Sequence, residues 1–133
     1  MKRWALVVLA SGLLAGCASQ AGPATDSSSE ASPTTPALET AAWNCLNRSQ
    51  PGLTVGDSGK TVTLDSKGND DVDGVSYQQI ACVLRALSTP DSVLADIDQT
   101  RALDGRQEAS WGSYSAVWRY HPDSGLELIL TQA

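Results

Sequence analysis

Apolar positions in the second half of the chain repeat with two different periods. Ile80, Leu84 and Leu87 fall at helical spacing, with Cys82 and Val83 widening the stripe. Ser76 stands where a helix cap is needed, and Gln79 three residues on completes a capping box. Val75 and Ile80 flank that cap at the positions of a hydrophobic staple. Thr89-Pro90 ends this helix and caps the next, with Pro90 expected at its first helical position. Val93, Leu94 and Ile97 give the second helix a short apolar face. Upstream, the β-branched run Thr61-Val62-Thr63-Leu64 predicts a short strand, followed by the turn-rich residues 65–74.

From Arg106 the period becomes two. Gly112-Ser113 suits a two-residue hairpin turn, which places Trp111 opposite Tyr114 and Ala109 opposite Ala116. Pro122-Asp123-Ser124-Gly125 is the next turn. With Gly125 as a left-handed bulge, Tyr120 meets Leu128 and Trp118 meets Leu130. Trp111, Tyr114, Ala116, Trp118, Tyr120, Leu128 and Leu130 then share the core face. The opposite face carries Arg106, Glu108, Arg119, His121 and Glu127, with the isolated apolar residues Val117 and Ile129. The expected fold is α+β: two helices packed on a three-stranded antiparallel meander, a short N-terminal strand and one disulfide.

The first 42 residues follow neither period. Met1-Lys2-Arg3 is a basic start, and the uncharged stretch from Trp4 to Leu14 is shorter than the roughly 20 residues of a spanning helix. It has the form of a secretory signal over residues 1–16. The signal ends in Leu14-Ala15-Gly16-Cys17, which resembles the bacterial lipobox. The resemblance implies cleavage before Cys17, diacylglycerol on its thiol and attachment to a bilayer. Two acyl chains anchor stably where one does not. Residues 17–42 read as a tether: 20 of the 25 residues from Ala18 to Ala42 are Ala, Ser, Thr, Pro or Gly. Such a composition buries too little apolar surface to offset ordering. As a flexible coil the segment spans about 25–30 Å. The folded domain is expected over residues 43–133.

Charge and cysteine content narrow the classes. The whole chain carries −6, and without Lys2 and Arg3 it has 7 basic against 15 acidic residues. No basic stripe of the kind that displaces counterions from nucleic acid is present. With Cys17 taken by lipid, Cys45 and Cys82 of an exported chain are expected to pair as a disulfide. Two separated cysteines and one histidine lack metal-ligand spacing, so neither a metal site nor a cofactor is expected.

The order Gly74-Val75-Ser76-Tyr77-Gln78-Gln79-Ile80, then Leu84, Pro90 and a Trp-rich meander, resembles small outer-membrane assembly lipoproteins and β-lactamase inhibitor proteins. Those modules bind other proteins without doing chemistry, and the likeness spans about 55 residues. Their short Gly-x-Pro helix end is replaced here by Leu87-Ser88-Thr89-Pro90, about one turn later. A closer likeness, through Thr100–Gln107 and Trp118–Leu126, is to secreted lipoproteins of high-GC Gram-positive bacteria that have no established activity. It implies the outer leaflet of the cell membrane, on the extracytoplasmic side.

Several constellations bear on chemistry. Gly56-Asp57-Ser58-Gly59-Lys60-Thr61 fails as a P-loop, because Thr54 stands at the first glycine and a β-branched run replaces the helix. As a nucleophile loop, its only base would be His121. Asn69, Asp71, Asp73 and Gly74 match the start of a calcium loop, but Ile80 stands where its bidentate Glu is needed. A weaker calcium site from Asp65, Asp70, Asp71 and Asp73 is the remaining metal alternative. Asp96 and Asp98 cannot face one another on a helix. A small envelope hydrolase would have to gather His121 with Glu127, Asp123 or Ser124; the bulged register sets Glu127 opposite His121. The reading preferred over both is a membrane-anchored, non-catalytic binding module for an envelope protein or cell-wall component. Its expected contact face is Val117, Arg119, His121 and Ile129.

Overall fold

Trp111 and Trp118 are the joints between the two layers of the domain. The Trp111 indole N–H donates to the Leu87 carbonyl at 3.1 Å, and that of Trp118 to Thr100 Oγ1 at 2.8 Å. Each bond joins a strand to the C-terminal end of a helix and satisfies an indole that burial would otherwise strand. The computed structural model describes residues 35–133. The signal at 1–16, Cys17 and the greater part of the tether lie outside the described residues.

The described chain runs α1 (Ala37–Cys45), β1 (Leu53–Gly56), β2 (Thr61–Asp65), α2 (Tyr77–Ala86), α3 (Asp91–Gln99), β3 (Gln107–Trp111), β4 (Tyr114–His121) and β5 (Gly125–Gln132). Short 3-10 turns occupy Asp57–Gly59 and Ala102–Asp104. All five strands form one antiparallel sheet in the order β1-β2-β5-β4-β3. Three helices and five strands replace the expected two helices and three-stranded meander. The predicted N-terminal strand is β2, and it continues the same sheet through its pairing with β5, where Val62 faces Leu130 and Leu64 faces Leu128.

Two missed elements account for the difference. Helix α1 occupies residues assigned to the tether. Leu38, Ala41 and Ala42 are buried on it, so the packed domain begins before residue 43. Its small residues read as linker in composition, but they let the helix lie close against α2 and β2. The Leu38 N–H, one of the donors a helix start leaves open, is taken by the Gln132 side chain at 3.1 Å. Strand β1 is only four residues long and flanked by turns, too short for periodicity to mark.

The capping box of α2 is present in both directions: Gln79 N–H donates to Ser76 Oγ at 3.3 Å, and Ser76 N–H to Gln79 Oε1 at 3.0 Å. Val75 and Ile80 are both buried beside it. At the next junction the expectation fails. Pro90 is the N-cap rather than the first helical residue, and it supplies no side-chain cap. The Thr89 hydroxyl donates instead to the Leu84 carbonyl at 2.6 Å, closing α2 rather than opening α3. Cys45 and Cys82 form the expected disulfide, which fastens α1 to α2.

The β3–β4 register is as predicted, with Trp111 opposite Tyr114 and Ala109 opposite Ala116. The β4–β5 register differs by two residues: Trp118 faces Leu128, Tyr120 faces Leu126 and Arg119 faces Glu127. A two-residue slip leaves every side chain on its face, so alternation could not tell the two pairings apart. Gly125 has φ +75°, yet the ladder runs unbroken to His121↔Gly125. A Cβ at Gly125 would collide with the Ser66 carbonyl oxygen, so this glycine permits a close approach between chain segments. Tyr120, assigned to the core, is 37% exposed because it lies beyond the helices that cover Trp118 and Ala116.

Candidate functional site

Alternation along the strands divides the sheet into a covered and an uncovered face. Val62, Leu64, Ala116, Trp118, Leu126, Leu128 and Leu130 are buried beneath the helices. No side chain on the other face of β2, β4 or β5 is fully buried, and no described element lies over it. The predicted contact residues are brought together there. Val117 pairs directly with Ile129, and Arg119 and His121 follow at two-residue steps along β4. The middle of the face is apolar, with Val117 and Ile129 half-buried by their neighbours. They share a shallow hollow of about 170 Å³ with Arg106 and Arg119. Beyond Ile129 the row continues through Thr63 to Thr54.

The changed register alters the chemistry of His121. Glu127 lies opposite Arg119 rather than His121, and the Arg119 Nε–H donates to its carboxylate at 2.5 Å. Both side chains are well exposed, so this pair adds little stability. His121 turns toward its own loop: Nδ1 accepts the Asp123 backbone N–H at 3.3 Å, with an Asp123 carboxylate oxygen at 3.6 Å. His121, Ser124 and Glu127 do border one open hollow of about 490 Å³, with Arg106 and Tyr120. Ser124 makes no side-chain hydrogen bond to His121 there, so the nucleophile–base contact of a hydrolase is not formed.

A second hollow of about 470 Å³ is lined by Tyr77 at the start of α2, Asp98 in the last turn of α3, Arg101 just after that helix, and Tyr120. Burial, then a hydrogen bond to Asp98, raises the Tyr77 hydroxyl above the ordinary tyrosine range; Arg85 opposes the shift. Between the two hollows the turn Ala102–Asp104 holds Leu103 out at 97% exposure. The sequence gives Tyr77 and Leu103 no role, and it assigns Tyr120 to the core face; the signal for Tyr77 and Leu103 is negative, since each is apolar at a position that neither the helical nor the strand stripe needs.

Among the described residues no group of three or more His, Cys, Asp or Glu side chains is placed to hold a metal. In the acidic loop, Asp71 accepts the Gly68 N–H at 3.0 Å, and Ile80 is fully buried. Burial raises the Asp65 carboxyl above the ordinary range, with the charges of Asp71 and Glu127 adding to it and Arg119 opposing. No described helix is long and apolar enough to cross a membrane. Comparison with protein-family models, with curated proteins and with solved structures finds no match.

Proposed function

We propose that the protein is a lipoprotein held on the extracytoplasmic face of the cell membrane through diacylglyceryl-Cys17, and that its domain is a non-catalytic binding module for an envelope protein or cell-wall component. One observation carries the binding reading: five strands present a face with no helix over it, and the centre of that face is the apolar pair Val117 and Ile129 ringed by Arg106, Arg119 and Glu127. An apolar centre with a charged rim is the usual anatomy of a protein contact surface. The anchor reading is supported by the order of basic start, uncharged stretch, small residues and cysteine at 1–17.

The test is cross-linking in intact cells. A photo-reactive residue at Val117 in the full chain is expected to form a reproducible adduct with one envelope component. Introducing Ile129→Asp should abolish that adduct while leaving the amount of protein unchanged. Intact mass should show Cys17 bearing lipid and residues 1–16 removed. An unmodified Cys17 would sink the anchor reading, and a lipidated chain with no adduct at Val117 would sink the binding face.

A further inference from the structure

The two most exposed large apolar side chains among the described residues are Val72 at 84% and Leu103 at 97%. Each belongs to a segment that borders the turn joining β4 to β5. On one flank, residues 66–74 are fastened to that turn: Asn69 and Asp70 donate their backbone N–H groups to the carbonyls of Pro122 and Asp123 at 2.9 and 3.0 Å. Ser66 Oγ accepts the Leu126 N–H at 2.7 Å. On the other flank, the Ala102–Asp104 turn is closed by the Arg101 N–H on the Asp104 carboxylate at 2.7 Å and by the Gln107 side chain on the Asp104 carbonyl at 2.6 Å. Both apolar tips thus stand on segments closed by hydrogen bonds.

Each tip is bracketed by charge, and the signs are opposite. Val72 lies among Asp70, Asp71 and Asp73; Leu103 lies between Arg101 and Arg106. Asp71 is engaged by Gly68, Asp104 by Arg101 N–H and Arg119 by Glu127. That leaves Asp70, Asp73, Arg101 and Arg106, none of which has an ion-pair partner among the described residues. In a two-fold interface the same patch meets itself, so that residue i of one copy touches residue j of the other and the reverse. A negative flank and a positive flank on either side of one turn satisfy that condition. An axis through the turn sets each negative flank against the mate's positive one, twice over.

We propose that two copies of this chain associate head to head through this end, with the Val72 loop of each against the Leu103 turn of the other. The open hollow between Ala102, Arg106, His121 and Ser124 lies beside Leu103 and receives the mate's Val72. Asp70 and Asp73 meet Arg101 and Arg106 around it. The contact is small beside the roughly 1,200–2,000 Å² of stable complexes, so it forms between copies concentrated on one surface. It shares Arg106 and His121 with the edge of the sheet face assigned to the envelope partner and rests on the proposed anchor for its local concentration; adducts at Leu103 and at Val117 report on the two contacts separately.

The experiment places a photo-reactive residue at Leu103 of the full chain in its own cells. The expected product is an adduct of twice the chain's mass, cross-linked to peptide 69–73. Arg101→Glu with Arg106→Glu should remove it, and so should Asp70→Arg with Asp73→Arg. When the two doubly charge-reversed chains are made together with different tags, opposite charges face each other again at both contacts, and the adduct between the tags should return. That rescue excludes misfolding as the cause of the losses. A Leu103 adduct to another polypeptide or to lipid, an adduct indifferent to charge reversal, or no adduct would each overturn the proposal.

Discussion

Leu38→Ala tests whether helix α1 belongs to the folded core. Leu38 is fully buried between α1 and the α2, β2 and β5 layer, and it caps that packing where α1 begins. The substitution removes three carbons, or about 2.4 kcal/mol of transfer free energy at ~0.8 kcal/mol per methylene. A cavity term adds to this, and buried Leu→Ala changes as a class cost about 2–5 kcal/mol. Taking about 3 kcal/mol and a urea slope of about 1.5 kcal/mol/M, the unfolding midpoint should fall by about 2 M. Asn44→Ala, on the exposed side of the same helix, should move it by less than about 0.5 kcal/mol. The assay is urea denaturation of the three proteins followed by tryptophan fluorescence, since Trp118 is buried in the same core. Equal midpoints for Leu38→Ala and the parent would show that α1 is not packed, and the boundary of the domain would return to residue 43.

Replacing Cys45 and Cys82 by Ala opens a loop of 37 positions, and the chain-entropy relation gives a loss of about 4 kcal/mol; reduction of the parent with thiol should reproduce the same shift in the urea midpoint. Trp118→Phe should cost about 1 kcal/mol through the lost bond to Thr100, and a double-mutant cycle with Thr100→Val should show that the two losses do not add. For Asp65 the folded state holds the proton more tightly than the unfolded chain, so its ionisation opposes folding. That cost is absent below the ordinary aspartate pKa of about 4 and appears as pH rises through and above it. Asp65→Asn should therefore be neutral to stabilising at pH 7, with the difference vanishing below about pH 4, as read from denaturation midpoints across pH. A gain that grows toward acid would contradict the assigned cause.

Elements whose chemistry is local could be read along the chain, and those defined by distant contacts could not. Ser76 and Gln79 announce α2 because each satisfies the other's neighbourhood within four residues. Gly112-Ser113 fixes the β3–β4 register because the turn allows few alternatives. The β4–β5 turn is longer and admits two pairings that keep Trp118 in the core, and only contacts with Ser66 and residues 68–70 select one of them. Helix α1 is hidden because Ala41 and Ala42 are useful for being small against α2, a virtue invisible in composition. The outer-face residues Val117, Arg119, His121 and Ile129 were legible because alternation assigns faces whatever the register. Leu103 and Val72 were not, since exposure at a loop tip depends on what fails to cover it.

Helix α1 also has a mechanical consequence. Traction on the N-terminal end of the described chain enters beside Gln132, where the Leu38 N–H is held, and travels along nine residues to Cys45. There it meets the covalent link to Cys82 and goes no further without loading α2. Unspooling α1 lengthens the chain by about 17 Å, from ~1.5 to ~3.4 Å per residue. The domain thus carries a short reel that pays out under tension and a latch that turns any further pull onto α2.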